Sequence, residues 1–262
     1  MRGAAALLFL LAIPARAQEL PPIADNSFLI EEAYNQEAGV VQHISLLDHP
    51  RHGSDWSFAF TQEWPLGSQR HQLSFTLPAA HTPFDQGLGD VAVNYRYQLL
   101  GIGESRLAFA PRLSLLLPTG DEEAGLGSGA AGIEVNLPLS IVLGERLVGH
   151  WNLGGSYTPS AQEMFGAEAD VDGVFLGQGL IWLAHPRLNV LLEAIWERTE
   201  TVAGPDLTFR EESAFVSPGA RVAQDLPSGL QIVYGLGVPI GVGSSEGERS
   251  VLLYLSFEHP FR

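Results

Sequence analysis

The chain contains no cysteine and no lysine. The first absence excludes a disulfide scaffold, a thiolate metal site, a cysteine nucleophile and a lipid-modified N-terminal cysteine together. The second means that all 14 basic residues are arginines, set against 30 acidic residues for a net charge of −16. Such a surface repels phosphates and argues against a nucleic-acid partner. Long apolar runs are also missing: past the N-terminus nothing approaches the roughly 18 to 20 residues that a membrane-crossing helix needs. Against these gaps stand a hydrophobic content of 45%, too high for disorder, and 29 Gly with 17 Pro, too many interruptions for a helical bundle. The 262 residues leave room for one large β-domain or two smaller ones.

The N-terminus reads as an export address. Met1 and Arg2 give a positive start, Ala4 to Ile13 is a short apolar run, and Ala15-Arg16-Ala17 supplies the small-x-small pattern of a signal-peptidase site. Cleavage after Ala17 is expected, so residues 1–17 are a signal peptide. Without Arg2 and Arg16, 12 arginines face 30 acids and the exported part carries −18. Freedom from cysteine suits passage through an oxidising compartment.

From about residue 38 the apolar residues fall on alternate positions, the period of a strand. Val91, Val93, Tyr95, Tyr97 and Leu99 alternate with Asp90, Ala92, Asn94, Arg96 and Gln98; Ile133, Val135, Leu137 and Leu139 alternate with Glu134 and Asn136. Twelve strands are predicted, beginning near residues 38, 55, 70, 89, 105, 132, 147, 173, 187, 213, 229 and 249. Short turns, such as Gly144-Glu145 and His185-Pro186, alternate with longer links, such as 79–88, 119–131, 158–172 and 197–212. That asymmetry predicts an all-β fold: an antiparallel transmembrane β-barrel of about 12 strands with short periplasmic turns and long external loops. The barrel would occupy residues 38–262, and residues 18–37 would form an N-terminal periplasmic or plug segment. A soluble β-sandwich shares the alternation, because period two does not say which face meets lipid and which meets water. Aromatic residues near strand ends (Trp56, Trp64, Tyr95, Tyr97, Trp151, Tyr157, Trp182, Trp196, Tyr234, Tyr254) favour the barrel, as interfacial girdles. Pro111, Pro138, Pro218 and Pro239 fall inside strand stretches, where proline removes a ladder hydrogen bond. They are expected at bulges or above the membrane; if they end strands, the count falls to ten or fewer.

The segment Phe28-Leu-Ile-Glu-Glu-Ala-Tyr-Asn-Gln-Glu37 running into Val40-Val-Gln-His43, together with Gly89-Asp-Val, Tyr95-Arg-Tyr97 and Leu117-Pro-Thr-Gly-Asp121, resembles the outer-membrane transporters filed under the MetA pathway of phenol degradation. The resemblance implies a barrel and a transport role for small molecules, and it brings no binding residues with it.

The predicted inward face carries Glu63, Arg96, Arg106, Arg112, Glu134, Glu193 and Arg221 among Gln72, Asn94, Gln98, Ser114, Asn136 and Gln231. These read either as a hydrophilic pore with a transverse field or as a paired network filling a narrow barrel. Glu31, Glu32 and Tyr34 would belong to a plug, whose carboxylates would need arginine partners because unpaired charges in a narrow pore are costly. Acids of the long links (Asp121 to Glu123, Glu163, Glu168, Asp170, Asp172, Glu211, Glu212, Glu246, Glu248) suit hard cations bridging to lipopolysaccharide, but such runs are more often solvated loop tips. Asp170-Val-Asp172-Gly173 lacks the remaining ligands of a calcium loop. His150 and Ser156 share a strand face but lie about 20 Å apart along it, too far for a base and its nucleophile. His43, His71 and His150 show no metal-ligand spacing. No enzyme, metal site or cofactor is therefore expected. The expected role is an outer-membrane channel or transporter for passive passage of small molecules, aromatic or hydrophobic ones among them. The alternative is a non-conducting structural or surface-binding barrel. Expected partners are outer-membrane lipid, lipopolysaccharide, a small-molecule solute and the barrel-assembly machinery, in the outer membrane of a Gram-negative cell.

Overall fold

A computed structural model describes residues 27–102 and 105–261; the signal-peptide segment 1–17 lies outside the described residues. Sixteen strands form one antiparallel sheet: β1 (Val40–Pro50), β2 (Trp56–Pro65), β3 (His71–His81), β4 (Gln86–Leu88), β5 (Val91–Tyr97), β6 (Leu107–Phe109), β7 (Arg112–Leu117), β8 (Gly132–Asn136), β9 (Leu139–Gly144), β10 (Leu147–Gln162), β11 (Glu168–His185), β12 (Leu188–Gly204), β13 (Leu207–Asp225), β14 (Gln231–Gly237), β15 (Ile240–Gly241) and β16 (Ser250–Pro260). The pairings run between strands adjacent around the ring, and β16 pairs with β1 over the full register Val40↔Pro260 to Pro50↔Ser250, so the sheet closes on itself. Closure removes both edges, the condition for a sheet to sit in lipid.

The sixteen segments are twelve barrel strands, because four of those strands are broken once. β4 and β5 both pair with β3. β6 and β7, β8 and β9, and β14 and β15 are separated by Ala110-Pro111, Leu137-Pro138 and Val238-Pro239. The prolines interrupt strands without ending them, since their carbonyls still accept: Tyr97 N–H donates to Pro111 at 3.0 Å, Ala110 to Pro138 at 3.2 Å and Ser250 to Pro239 at 3.1 Å. Pro218 stays inside β13, opposite Leu192, and accepts from Val238 N–H at 3.0 Å.

The faces are inverted relative to a soluble protein. Leu115, Leu153, Leu176, Leu192, Leu236 and Leu253 point outward and are about half exposed, whereas Gln42, Gln98, Ser114, Ser140, Glu193 and Ser217 are fully buried inside the ring. An apolar belt around a polar interior fits hydrocarbon, and it decides against the sandwich. Trp182, Tyr95, Tyr157 and Tyr234 are exposed on the outside, as a girdle requires, but Tyr254 is not: it faces inward and is 4% exposed. The alternation of β16 places it there, on the side of Leu252 and Ser256, and its ring packs 5.3 Å from Phe28.

Four strands are far longer than a membrane needs: β10 to β13 run for 16, 18, 17 and 19 residues. The links expected at 158–172 and 197–212 are therefore mostly paired ribbon, turning at Glu163–Ala167 and at Pro205-Asp206. Above the membrane both faces of a strand are wet, so period two disappears from the sequence while the ladder continues.

Candidate functional site

The interior of the barrel is occupied by its own chain. Residues 27–36, which precede β1, run through the ring as a bent chain without regular secondary structure, and wall side chains replace the partners that their backbone lacks. Glu193 on β12 accepts from Leu29 N–H at 2.9 Å and Ile30 N–H at 3.1 Å. Asn152 on β10 accepts from Glu31 N–H at 2.8 Å and donates back to Glu31 O at 2.9 Å. Ser140 on β9 accepts from Ala33 N–H, Gln98 beyond β5 from Asn35 N–H (both 2.8 Å), and Gln72 on β3 from Gln36 N–H at 2.7 Å. Gln98 also donates to Ala33 O, and Gln36 donates to Gln42 on β1. The segment thus crosses the lumen by stepping from one wall polar group to the next.

Two apolar side chains fix it laterally, and glycines make their sockets. Phe28 lies against Gly219, Gly235 and Gly237 on β13 and β14; a Cβ would meet its ring at 2.8 Å from Gly219 and 3.0 Å from Gly237, and more closely still from Gly235. Ile30 lies against Gly177 on β11, where an added Cβ would strike its Cδ1. Glycine inside a strand gains nothing for the ladder, so its presence at alternate inward positions marks the approach of another chain segment.

The charges form two groups. Arg112 on β7 holds Glu31 through Nη2 at 2.7 Å and Nε at 3.2 Å, and reaches Glu134 on β8 at 2.8 Å. Arg96 on β5 lies 3.7 Å from both Glu31 and Glu63, and donates to Asn35 Oδ1 (2.8 Å), Tyr34 O (2.9 Å) and Glu32 O (3.1 Å). Across the lumen, Arg221 on β13 reaches Glu32 at 3.2 Å, and Ser27 Oγ donates to the same carboxylate oxygen at 3.2 Å. Tyr34 donates its hydroxyl to Ser105 O at 3.3 Å near the turn end. Of the seven wall charges named from the sequence, Glu63, Arg96, Glu193 and Arg221 are buried, and Arg112 and Glu134 are partly so. Arg106 stands apart just ahead of β6, donating to Val142 O at 3.3 Å.

The alternation did not single out Ser140, Asn152 and Gln42 as members of this site, and it put Phe28 and Ile30 in the segment without their sockets. His150, set too far from Ser156 by the strand spacing, has other neighbours: its Nδ1 lies 2.7 Å from Ser140 Oγ and its Nε2 lies 3.7 Å from Glu32. The triad-like look of Ser140, His150 and Glu32 does not make a nucleophile. Ser140 is fully buried and already accepts the Ala33 N–H, so no substrate carbonyl can reach its oxygen.

Above the segment, toward the loop end, lies a cavity of about 310 Å³. Its floor is Ser27, Phe28 and Glu31; its wall mixes apolar (Ile44, Leu46, Ala59, Ala92, Leu116, Tyr254) and polar (Thr61, Thr76, Asn94, Arg112, Ser114, Glu134) residues. A second cavity of about 300 Å³, lined by Leu46, Asp48, Ala59, Pro78, Gly125 and Leu126 among others, sits beneath the 118–131 loop. Among the described residues no group of three or more His, Asp, Glu or Cys side chains converges to hold a metal ion.

The fold is that of a transmembrane antiparallel β-barrel with a segment of its own chain inside. The COG4313 outer membrane channel from Pseudomonas putida F1 is similar in shape, with a TM-score of 0.61 at 14% identity over 87% of this chain and 98% of that one. Looser likenesses are to the TodX monoaromatic hydrocarbon channel (0.43, 12% identity, 86% and 91% covered) and the Ralstonia pickettii toluene transporter TbuX (0.39, 10% identity, 89% and 91% covered). No family model matches the sequence, and no curated protein does.

Proposed function

We propose that the chain is an outer-membrane channel for small molecules in which residues 27–36 form a displaceable plug and the cavity above them receives the solute. One observation carries the reading: a polar lumen is filled by an irregular segment whose backbone is held by separate side chains, not by a strand ladder. Such contacts can be released one at a time, and each is worth about 1 kcal/mol net.

The charges narrow the solute class. Glu31, Glu32, Glu63, Glu134 and Glu193 outnumber Arg96, Arg112 and Arg221, and all three guanidinium groups are already engaged by carboxylates or carbonyls. An entering anion finds no uncommitted cation, so neutral and cationic molecules are favoured. A cavity of mixed apolar and polar lining suits a small aromatic or aliphatic body bearing a hydrogen-bonding group. The resemblance to the phenol-pathway transporters agrees with that class. The reading includes a cleaved signal peptide, the outer membrane as location, and lipid, lipopolysaccharide and the assembly machinery as partners.

Planar-bilayer recording on the full chain and on a variant lacking residues 27–36 tests it. Rare, small steps are expected from the first and larger steps from the second. Absence of steps from both would end the channel reading. It would leave the second reading, a closed barrel whose long β10–β13 ribbons serve surface binding, which the filled interior favours.

A further inference from the structure

The outer face of the barrel carries a pair of histidines that the plug and lumen leave unused. His43 is on β1 and His259 on β16, diagonal neighbours across the join between the first and last strands, where Val41 faces His259 and His43 faces Phe257. Neighbouring Gln42 and Ser256 point inward, so both imidazoles stand outside, partly exposed and close to the level of Trp64 on β2. Their Nε2 atoms are 3.3 Å apart and their ring centroids 5.4 Å apart.

Three features of this pair go together. Two imidazoles bound to one tetrahedral ion at Zn–N distances of about 2.0–2.1 Å hold their nitrogens about 3.3 Å apart. The other nitrogen of His259, Nδ1, lies 3.1 Å from Pro260 O, which only accepts; the ring is therefore protonated at Nδ1 and its Nε2 carries the lone pair. A histidine whose far nitrogen donates to a backbone carbonyl is oriented as metal-ligating histidines are. His43 is steadied in turn by Phe60, stacked at 6.1 Å with a 22° interplanar angle.

We propose that His43 and His259 form a two-imidazole site for a borderline transition-metal ion (Zn²⁺, Cu²⁺ or Ni²⁺) on the outside of the barrel. Imidazole ligands select these ions over Mg²⁺ and Ca²⁺. No third protein ligand joins among the described residues, so water completes the coordination and affinity is modest. The ion joins β1 to β16, the strands that close the ring and that lie 216 residues apart at this pair. Since the unfolded chain cannot hold the two rings together, binding stabilises the closed barrel.

The test uses the full chain in detergent, stripped with a chelator and titrated with Cu²⁺ and Zn²⁺. The proposal expects one equivalent with micromolar affinity, a Cu²⁺ spin-resonance spectrum split by two equivalent nitrogens, and a melting temperature that rises with Zn²⁺. His43→Gln and His259→Gln each remove that equivalent and the rise, while His71→Gln and His81→Gln keep both. Retention of the equivalent in both of the first two variants overturns the site. So does a wild-type spectrum with fewer than two coordinated nitrogens, a result that does not depend on any variant folding.

Discussion

Glu31 and Arg112 meet through two hydrogen bonds inside the barrel, Oε1 to Nη2 at 2.7 Å and Oε2 to Nε at 3.2 Å, and Arg112 simultaneously holds Glu134 at 2.8 Å. One guanidinium therefore ties the lumen segment to two strands of the wall. Glu31→Gln keeps the size of the side chain and removes its charge. Loss of a charge-assisted bidentate pair is worth about 1.5 kcal/mol, a little over tenfold in an equilibrium. Plug release in Glu31→Gln is expected to rise by about that factor, read as the open probability in single-channel records; an unchanged probability would show that this pair does not hold the closed state.

Phe28 gives the apolar counterpart. Phe28→Ala empties the socket of Gly219, Gly235 and Gly237, which costs about 3 kcal/mol of segment docking. Because the chain has no cysteine of its own, Ser27→Cys provides a single labelling site beside the socket. Maleimide labelling of that cysteine is expected to be slow in the otherwise native protein and at least tenfold faster when Phe28→Ala is added. The converse change, Gly235→Val, fills the socket from the wall side and should raise the labelling rate in the same way.

Glu193 tests the backbone contacts. Glu193→Ala leaves the Leu29 and Ile30 N–H groups without their acceptor, a cost of about 1–3 kcal/mol for each buried donor. Amide hydrogen exchange at residues 29 and 30 should accelerate strongly, while Glu193→Gln, which keeps an acceptor oxygen, should restore most of the protection. Equal exchange in the two variants would argue that the carboxylate contributes only charge.

Outside the membrane, Asp170 at the start of β11 accepts from Ser160 N–H at 2.9 Å and from the Tyr157 hydroxyl at 2.7 Å, which together hold its carboxyl below the usual aspartate range, the backbone donor contributing most. A carboxylate with a depressed folded pKa stabilises its surroundings above the unfolded pKa and loses that contribution as pH falls through the folded one. Opening of the β10–β11 ribbon tip is therefore expected only below about pH 4. Exchange at Ser160 should show an acid step there and be flat from pH 5 to 8, and Asp170→Asn should remove the step.

The strand count and the closed architecture were legible in the sequence because each membrane-height stretch keeps one face apolar, and period two survives even proline interruptions such as Ala110-Pro111. The heights of β10 to β13 were not, because residues such as Arg210 to Glu212 are exposed on both faces and carry no period. Tyr254 misled because an aromatic near a strand end suits a girdle or a core equally, and only its register with Leu252 and Ser256 separates the two. The wall charges could be put on a face from alternation alone. Their partners could not, since Glu32 meets Arg221 across 189 residues of sequence. The signal that could have found the segment's position was present in the alternate inward glycines Gly177 and Gly179, Gly235 and Gly237, which no strand needs for its own sake.

The glycine sockets also impose an order in time. Phe28 and Ile30 stand near the start of the chain, yet their seats are made by β11, β13 and β14 and exist only once those strands have paired. Residues that precede every strand in the sequence are thus among the last to find their place. Whatever inserts this barrel must keep its opening segment waiting until the ring is nearly built.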